Sequence, residues 1–422
     1  MRTASTTRTG TRGLVAITAI SALGLAACSG GGGGPQSGGA SKLTNDKIVI
    51  GLLNDQSGVY KDLSGPNSAV AIQMAIDDYK AKHGDQAVAK TVEIVQADHQ
   101  NKADVANSKA QEMYDRQNAD LILDVPNSAA ALAVATQAKA KKKLYINIGA
   151  GTTALTGAQC NKYTFHWAYD TAVLAKGTAG TIVGEGGKTW NIVYPDYAFG
   201  QDMNKSFSAE VKTAGGTVGQ SIATPFPSDN FATFITKAGD GSPQVVGTMH
   251  AGGDLINFVK QYNQSELKGK SELAVGLMFI TDIHSLGVDQ FAGTQFTDAW
   301  YWNFDEQNRA WADKFTAKTQ TRPSFAHAAN YSAALNYLEA VQAAGTDDAD
   351  TIVKSLEGKK INDFFLRNGE VRAADHNITH DVYLAKVKTK DQVKEAWDYE
   401  EITKTVPAAQ AYAAPDGSCK LS

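Results

Sequence analysis

From Lys47 onward, short apolar runs alternate with helical stripes along most of the chain. Lys47–Leu53 (KIVIGLL) has strand length. After a Ser-Gly loop, Ala69, Ile72, Ile76 and Tyr79 recur at steps of three and four, one face of a helix. Strand-like Thr91–Ala97 precedes a helical Lys102–Ala119, Asp120–Val125 (DLILDV) precedes an alanine-rich helix over Ser128–Lys142, and Leu144–Ile148 (LYINI) is the next strand. The alternation restarts at Trp190–Tyr194 (WNIVY), followed by a helix from Gly200 to Ala214 that Gly215-Gly216 stops. Thr217–Phe226, Gln244–His250 and Ser271–Met278 read as further strands with helical segments between them. Strands alternating with helices of this length predict an α/β fold with parallel sheets covered by helices on both faces. Two such runs, divided between Tyr169 and Glu185, predict two doubly wound lobes.

Beyond Trp302 the order changes. Helices are expected over Glu306–Thr319, Phe325–Ala344 and Asp350–Glu357, followed by strands over Arg367–Val371 and His380–Val387. Such a tail is hard to fit as a third domain. It fits better as the completion of both earlier lobes, with the chain crossing between them more than once.

The N-terminus follows different rules. Arg2, Arg8 and Arg12 precede a largely apolar run, Leu14–Ala27, which reads as a secretory signal over residues 1–27. The run is shorter than the roughly 20 residues a membrane-spanning helix needs, and no other segment approaches that length. It ends in Leu25-Ala26-Ala27-Cys28, which resembles the lipobox of bacterial lipoproteins. That resemblance implies lipidation at Cys28 and attachment to the membrane through the lipid alone. The glycine-rich stretch after it, within residues 28–42, reads as a flexible tether. With Cys28 set aside, Cys160 and Cys419 remain, and an oxidising compartment favours one disulfide between them; two free thiols are the alternative.

The 422 residues carry 40 Lys+Arg and 44 Asp+Glu, a formal charge of −4. Without the first 27 residues, which hold three arginines and no acid, 395 residues remain and the charge falls to −7. So acidic a surface offers nucleic acid or anionic lipid little attraction. At 43% hydrophobic and 20% charged the chain is globular, and its length exceeds what one core usually covers.

Motifs with known chemistry are weak. Gly149-Ala150-Gly151-Thr152-Thr153-Ala154 matches the dinucleotide fingerprint after a strand, with Asp170 downstream, but its threonines start helices poorly and it follows the fourth strand rather than the first. A loop whose glycines let a ligand approach backbone N–H groups is the better reading. Gly187-Lys188-Thr189 lacks the glycine that a phosphate loop needs at position 182. His376 and His380 have the spacing of helical metal ligands, yet Asn377-Ile378-Thr379 reads as loop or strand, so a solvated surface loop is expected there and no metal. No catalytic constellation and no cofactor site emerges. What the chain does show is a set of polar and aromatic residues after its strands, where open α/β sheets bind ligands. These are Ser57, Tyr60 and Ser64, Asn127-Ser128, Gly149–Thr152, Asp196, Tyr197 and Phe199, His250, and Asp282 and His284. Asn127-Ser128 can equally cap a helix, and the aromatics can equally be rim or core residues.

Gly51-Leu52-Leu53 followed by Ser57-Gly58, the loop Asn147–Gly151, Asp196-Tyr197-Ala198-Phe199-Gly200 and the tail Asp381–Val387 with Trp397-Asp398-Tyr399 form an ordered set. Together with the lipobox, that set resembles type I solute-binding lipoproteins of ABC importers, in the family of the leucine/isoleucine/valine-binding proteins. The tail resembles a subgroup associated with branched-chain amino acids or aromatic acids, in which cysteines tend to stand at the places of Cys160 and Cys419. The resemblance covers about Ile48 to Lys388. It implies the type I periplasmic-binding-protein fold, two lobes joined by three hinge crossovers, divided as 43–168 plus 303–357 and 169–302 plus 358–422. It implies a monomer that hands a small molecule to a membrane permease without catalysis. By the same resemblance Ser128 and the amides of Gly149, Ala150, Gly151 and Thr152 hold a ligand carboxylate, beside Asn127. Phe199 closes over the ligand, and Tyr60, Trp167 and Tyr197 form its walls.

Two departures stand out. Gly151 replaces a threonine of the amino-acid binders, and Gly276–Ile280 offers no glutamate for a ligand ammonium, leaving Asp282 as a substitute. These widen the expected ligands to small amphipathic carboxylates, amino acid or aromatic acid. A sensor built on the same fold is the alternative function. An enzyme using Asp282 or His250 as a base is the third reading.

Overall fold

The structure, a computed structural model, describes residues 43–415 and 417–421; the expected signal, Cys28 and the tether lie outside the described residues. The first half forms strands β1 (Ile48–Asn54), β2 (Val92–Asp98), β3 (Leu121–Asp124), β4 (Leu144–Asn147) and β5 (Thr164–His166). With them come helices α1 (Ser68–His83), α2 (Ala103–Asp115) and α3 (Ser128–Lys141). The strands make one parallel sheet in the order β2-β1-β3-β4-β5. Helices cover both faces, so β1 is buried at all seven positions and reads as one apolar run instead of alternating. Asn127 starts α3 by accepting from the Ala130 N–H, and Lys142 ends it in the left-handed region at φ 52°.

The second half repeats the plan. Helices α4 (Thr171–Gly184), α5 (Ala198–Thr213), α6 (Ala232–Ala238), α7 (Gly252–Asn263), α8 (Ile280–Leu286) and α9 (Val288–Phe291) alternate with β6 (Thr189–Pro195), β7 (Thr217–Thr224), β8 (Val245–Thr248) and β9 (Glu272–Val275). The sheet is parallel, in the order β7-β6-β8-β9. Strand β10 (Gln295–Asp298) follows, and then α10 (Glu306–Thr319), α11 (Phe325–Ala344) and α12 (Ala349–Leu356). The chain closes with short strands β11 (Lys360–Ile361), β12 (Gly369–Val371) and β13 (Ile378–Thr379), then β14 (Val382–Val387), β15 (Glu400–Val406) and the turn-length α13 (Ala408–Ala411).

The tail serves both lobes. Helix α11 packs along α1 in the first lobe. The β11-β12-β13 sheet is tied to that helix through Asp363, which accepts from Ser332 Oγ and Asn336 Nδ2. Strands β14 and β15 instead form an antiparallel sheet with β10, beside β9 of the second lobe. The chain therefore crosses three times, between β5 and α4, between β10 and α10, and between β13 and β14. Those passages are buried around Trp167, Tyr169, Trp300, Tyr301 and Trp302.

His376 and His380 lie at the third passage, which corrects the expectation of a solvated loop: both are fully buried. His376 has Thr164 O at 3.2 Å and Glu357 Oε1 at 3.0 Å from its ring nitrogens, and His380 has Asp381 O and Ala168 O at 2.8 and 2.7 Å. The polar sequence signals an interior where crossing backbones need side-chain partners. Strands β5, β10 and β15 escape the sequence pattern, β5 through shortness, β10 because Phe296 is its one strongly apolar residue, and β15 because most of its positions are partly or fully exposed.

Cys160 and Cys419 form a disulfide across a sequence separation of 259, with Cα atoms 5.5 Å apart, fastening the C-terminal segment to the loop before β5. Replacing both cysteines by serine is expected to lower unfolding free energy by about 2–5 kcal/mol in urea melts. An unchanged midpoint would show that the tail folds outside the cooperative unit.

Candidate functional site

Both parallel sheets reverse direction of build beside their first strand, at β1 and at β6, and the carboxyl ends of both point into the space between the lobes. On the first lobe three loops converge there: the one after β1 carrying Tyr60, the β3–α3 turn carrying Asn127 and Ser128, and Gly149–Thr152 after β4. Ser128 is buried at the first turn of α3, and its Oγ has no hydrogen-bond partner. Asn127 spends its Oδ1 on the Ala130 N–H while its Nδ2 stays unpartnered. Capping and presentation therefore coexist in adjacent residues.

In the loop after β4, Asn147 donates to Ala150 O and accepts from the Ala150 N–H. The Gly149, Gly151 and Thr152 amides have no bonded protein acceptor among the described residues. Instead of opening a helix for pyrophosphate, the loop enters a single 3-10 turn, Thr153–Leu155, which Thr152 Oγ1 caps. A Cβ on Gly149 would lie 2.7 Å from Pro126 Cα, so the two loops touch only because residue 149 has no side chain. Converging amides at a helix N-terminus bind anions.

The second lobe supplies aromatic groups. Tyr197 hydrogen-bonds through its hydroxyl to that of Tyr60, and its ring stacks on Phe226 with centroids 4.2 Å apart. Phe199, at the start of α5, lies 3.3 Å from where a Cβ on Gly151 would stand; Tyr169 is 3.1 Å from the same point. Tyr169 donates to Gly149 O at 2.6 Å and meets Phe325 edge-on, and Phe325 stacks on Phe279. Burial raises the Tyr60 and Tyr197 phenols well above their ordinary value, so both stay protonated donors. The structure thus brings Tyr60, Asn127–Ser128, Gly149–Thr152, Tyr197 and Phe199 to one cleft.

Three expected residues have polar atoms spent on protein partners. Trp167 is buried with its Nε1 donating to Ser332 Oγ on α11. His250 has both ring nitrogens bonded to threonine hydroxyls, Thr224 and Thr248, and packs on Phe231 and Phe258; burial pushes its pKa down to about 3. Asp282 accepts from the Phe279 N–H, closing the first turn of its own helix, and burial pushes its carboxyl up to about 7. Sequence reasoning missed Tyr169, Phe226 and Phe325, and Asp254, whose carboxylate accepts from the Ser228 N–H; Phe226 reads from the sequence as the last residue of a strand and so as part of it.

The lobes are also joined by polar contacts around the cleft. Gly252, at φ 56°, lets α7 reach the first lobe, where the Gly253 N–H donates to Val59 O at 2.9 Å. Asp202 on α5 accepts from the Thr153 N–H at 2.7 Å, from Thr153 Oγ1 at 2.9 Å and from Thr171 Oγ1 at 2.6 Å. Thr153 follows directly on the loop with the unbonded amides, so this carboxylate clips the second lobe to the edge of that loop. Among the described residues no group of three or more His, Cys, Asp or Glu could hold a metal ion.

Two doubly wound lobes closing over converging amides and aromatic walls define a solute-binding protein. The family described as periplasmic binding protein matches residues 47–392, and the chain belongs to that family. The family places it outside the cytoplasm; no helix of the described residues is long and apolar enough to cross a membrane. The chain is 27% identical over 232 residues to the Leu/Ile/Val-binding protein homolog 6 of Brucella melitensis, a match covering 54% of this chain and 57% of the relative. The chain thus spans little more than half the length of that curated relative. A periplasmic binding protein from Burkholderia mallei is 43% identical with a TM-score of 0.84, over 87% of this chain and 97% of that one. A branched-chain amino acid ABC transporter periplasmic ligand-binding protein from Burkholderia xenovorans is 33% identical with a TM-score of 0.77, over the same shares.

Asp202→Ala removes hydrogen bonds between the lobes. Each charge-assisted bond is worth about 1.5–3 kcal/mol, so the ratio of closed to open form should fall about tenfold or more. Small-angle scattering of the variant should show a larger radius of gyration than the parent. Identical profiles would mean that the clip does not govern closure.

Proposed function

We propose that this protein is the solute-capturing component of an ABC importer, taking a small carboxylate-bearing ligand (an amino acid or an aromatic acid) between its lobes for delivery to a membrane permease. One observation carries the reading: the buried, unpartnered Ser128 Oγ at the first turn of α3, beside the unbonded amides of Gly149, Gly151 and Thr152. A buried hydroxyl without a partner is costly, and an arriving carboxylate supplies the acceptor. Tyr60, Tyr197 and Phe199 enclose the apolar part of the ligand, with Asn127 Nδ2 as a further donor. Support for the transport role comes from family membership and from the Burkholderia xenovorans protein, described as part of a branched-chain amino acid transporter.

The lobes that move are 43–168 with 303–357 and 169–302 with 358–422, except that 360–379, bonded to α11 and β5, travels with the first lobe. Cys28 anchors the mature chain by its lipid, the domain works as a monomer, and no bond is made or broken.

The test is a thermal-stability screen of protein lacking the first 28 residues, unfolded and refolded to remove carried ligand, against amino acids, aromatic acids and short carboxylates. A ligand at 100 times its dissociation constant adds about 2.7 kcal/mol of stability. Ser128→Ala should weaken the responding ligand by about tenfold or more while leaving the unliganded protein folded. Well-folded protein that responds to no carboxylate would defeat the proposal.

A further inference from the structure

The end of the chain forms a fourth link between the lobes, beyond the three passages. Helix α13 lies on the second lobe, where Ala411 and Tyr412 pack with Val173 of α4 and Val382 of β14. One step later the chain is held by the other side: Ala413 O accepts from Arg372 Nη1 at 2.7 Å. Arg372 is fixed by two bonds to the Asp375 carboxylate, at 2.8 and 2.6 Å. Both residues belong to the segment bonded to α11 and β5 of the first lobe, where the His166 N–H donates to His376 O at 3.0 Å. The Cys160–Cys419 disulfide then makes the link covalent. Cys160 stands firmly in the first lobe, since its neighbour Asn161 donates to Ala135 O on α3 at 3.2 Å and to Thr164 Oγ1 on β5 at 3.0 Å.

The position of this link decides what it does. Tyr412 Oη lies 3.5 Å from Ala168 O of the first passage, and its ring faces His380 of the third with centroids 5.9 Å apart. Ala413, Ala414 and Pro415 then line a cavity of about 350 Å³ whose other walls include Thr153 of the first lobe and Asp202 and Lys205 of α5. Thr153 and Asp202 are the pair that clips the lobes together, so the tail spans the same flank on which the lobes part. The disulfide is made with the lobes in contact. When Thr153 leaves Asp202, the wall of the cavity that the tail supplies has to lengthen. The hydrogen bond from Arg372 to Ala413 can break and reform, but the disulfide persists and holds Ala413 within reach of Arg372 as an intramolecular partner.

We infer that the disulfide-fastened tail is a strap across the hinge that limits how far the lobes separate and keeps the unliganded protein near closure. This rests on the lobes moving as a clamp, as in the reading above, and not on the chemistry of the ligand. A wider range of openings dilutes the closed state, so a looser strap leaves a smaller fraction of the protein ready to hold a ligand. The role is separable from stabilising the fold. Global unfolding exposes every amide, whereas parting of the lobes exposes only amides bonded across the gap. Two amides report on that parting: the Thr153 N–H, bonded to Asp202 at 2.7 Å, and the Gly253 N–H, bonded to Val59 O at 2.9 Å.

The experiment is amide hydrogen exchange of the ligand-free, oxidised protein, comparing the parent with two variants that lengthen the strap and keep the disulfide. About three or about nine glycine and serine residues are inserted after Pro415, an exposed position, so the fold is undisturbed. Exchange at Thr153 and Gly253 is expected to quicken by about threefold with the shorter insert and about tenfold with the longer. Amides within β1 and β6 should stay within about twofold of the parent, because a few residues added to a loop already 259 residues long barely change its closure entropy. Small-angle scattering of the same ligand-free variants should show a radius of gyration that grows with the length of the insert. Unchanged exchange at Thr153 and Gly253 overturns the strap and leaves the disulfide as a fastening of the chain end. A gain shared equally by β1 and β6 overturns it too, and assigns the tail to stability of the whole fold. If both reporter amides exchange in the parent only as slowly as those of β1 and β6, the lobes do not part on their own, and the strap falls together with the clamp. The carboxylate screen, which uses the parent and added ligand, is decided separately from all of these.

Discussion

In a parallel sheet built outward from its first strand in both directions, the loops on either side of that strand run apart and leave a crevice above the carboxyl edge. This chain contains two such sheets, reversing at β1 and at β6, with their carboxyl edges turned towards each other. Every feature of the cleft depends on that arrangement. The turn after β3, the loop after β4 and the segment carrying Tyr60 converge because they leave neighbouring strands on the same edge. Tyr197 and Phe199 meet them because they follow β6, the matching strand of the second sheet.

The lobes meet through apolar as well as polar contacts: one hydrophobic cluster takes in Tyr60 and Phe325 of the first lobe with Phe199 and Phe279 of the second. The polar contacts include a tyrosine pair, backbone bonds from Gly253 to Val59 and from Thr171 to Gly151, and the Asp202 carboxylate on Thr153, beside an aromatic stack between Phe279 and Phe325. The cleft also keeps polar atoms unpartnered in buried positions, at Ser128 and Asn127. An arriving ligand can supply the missing partners there.

Much of the first lobe was legible in the chain. KIVIGLL, DLILDV and LYINI became β1, β3 and β4, and the helix boundaries at Glu306–Thr319 and Phe325–Ala344 matched the structure. Long periodic segments carry their own signal. Strands of two or three residues such as β5 and β11 do not, because they exist only where a neighbouring strand accepts their hydrogen bonds. At the site, Ser128 and the glycine loop were visible because they sit at strand ends, and Phe199 because of the residues around it. His250 looked like a cleft residue by position, yet its ring turns inward to two threonines.

The sequence by itself determined the repeated α/β pattern, the two lobes, the pair of cysteines and the loops that stand at the carboxyl edge, since all of these depend on local periodicity and on residue type. Only the tertiary structure decided which side chains at that edge face the cleft and which are spent on their own backbone. It also buried His376 and His380 in a crossover and set Asp202 across the gap. Burial and hydrogen-bond pairing are properties of segments far apart in the chain, as with Asp202 and Thr153 or Cys160 and Cys419, and no local pattern records which distant partner a polar atom will meet.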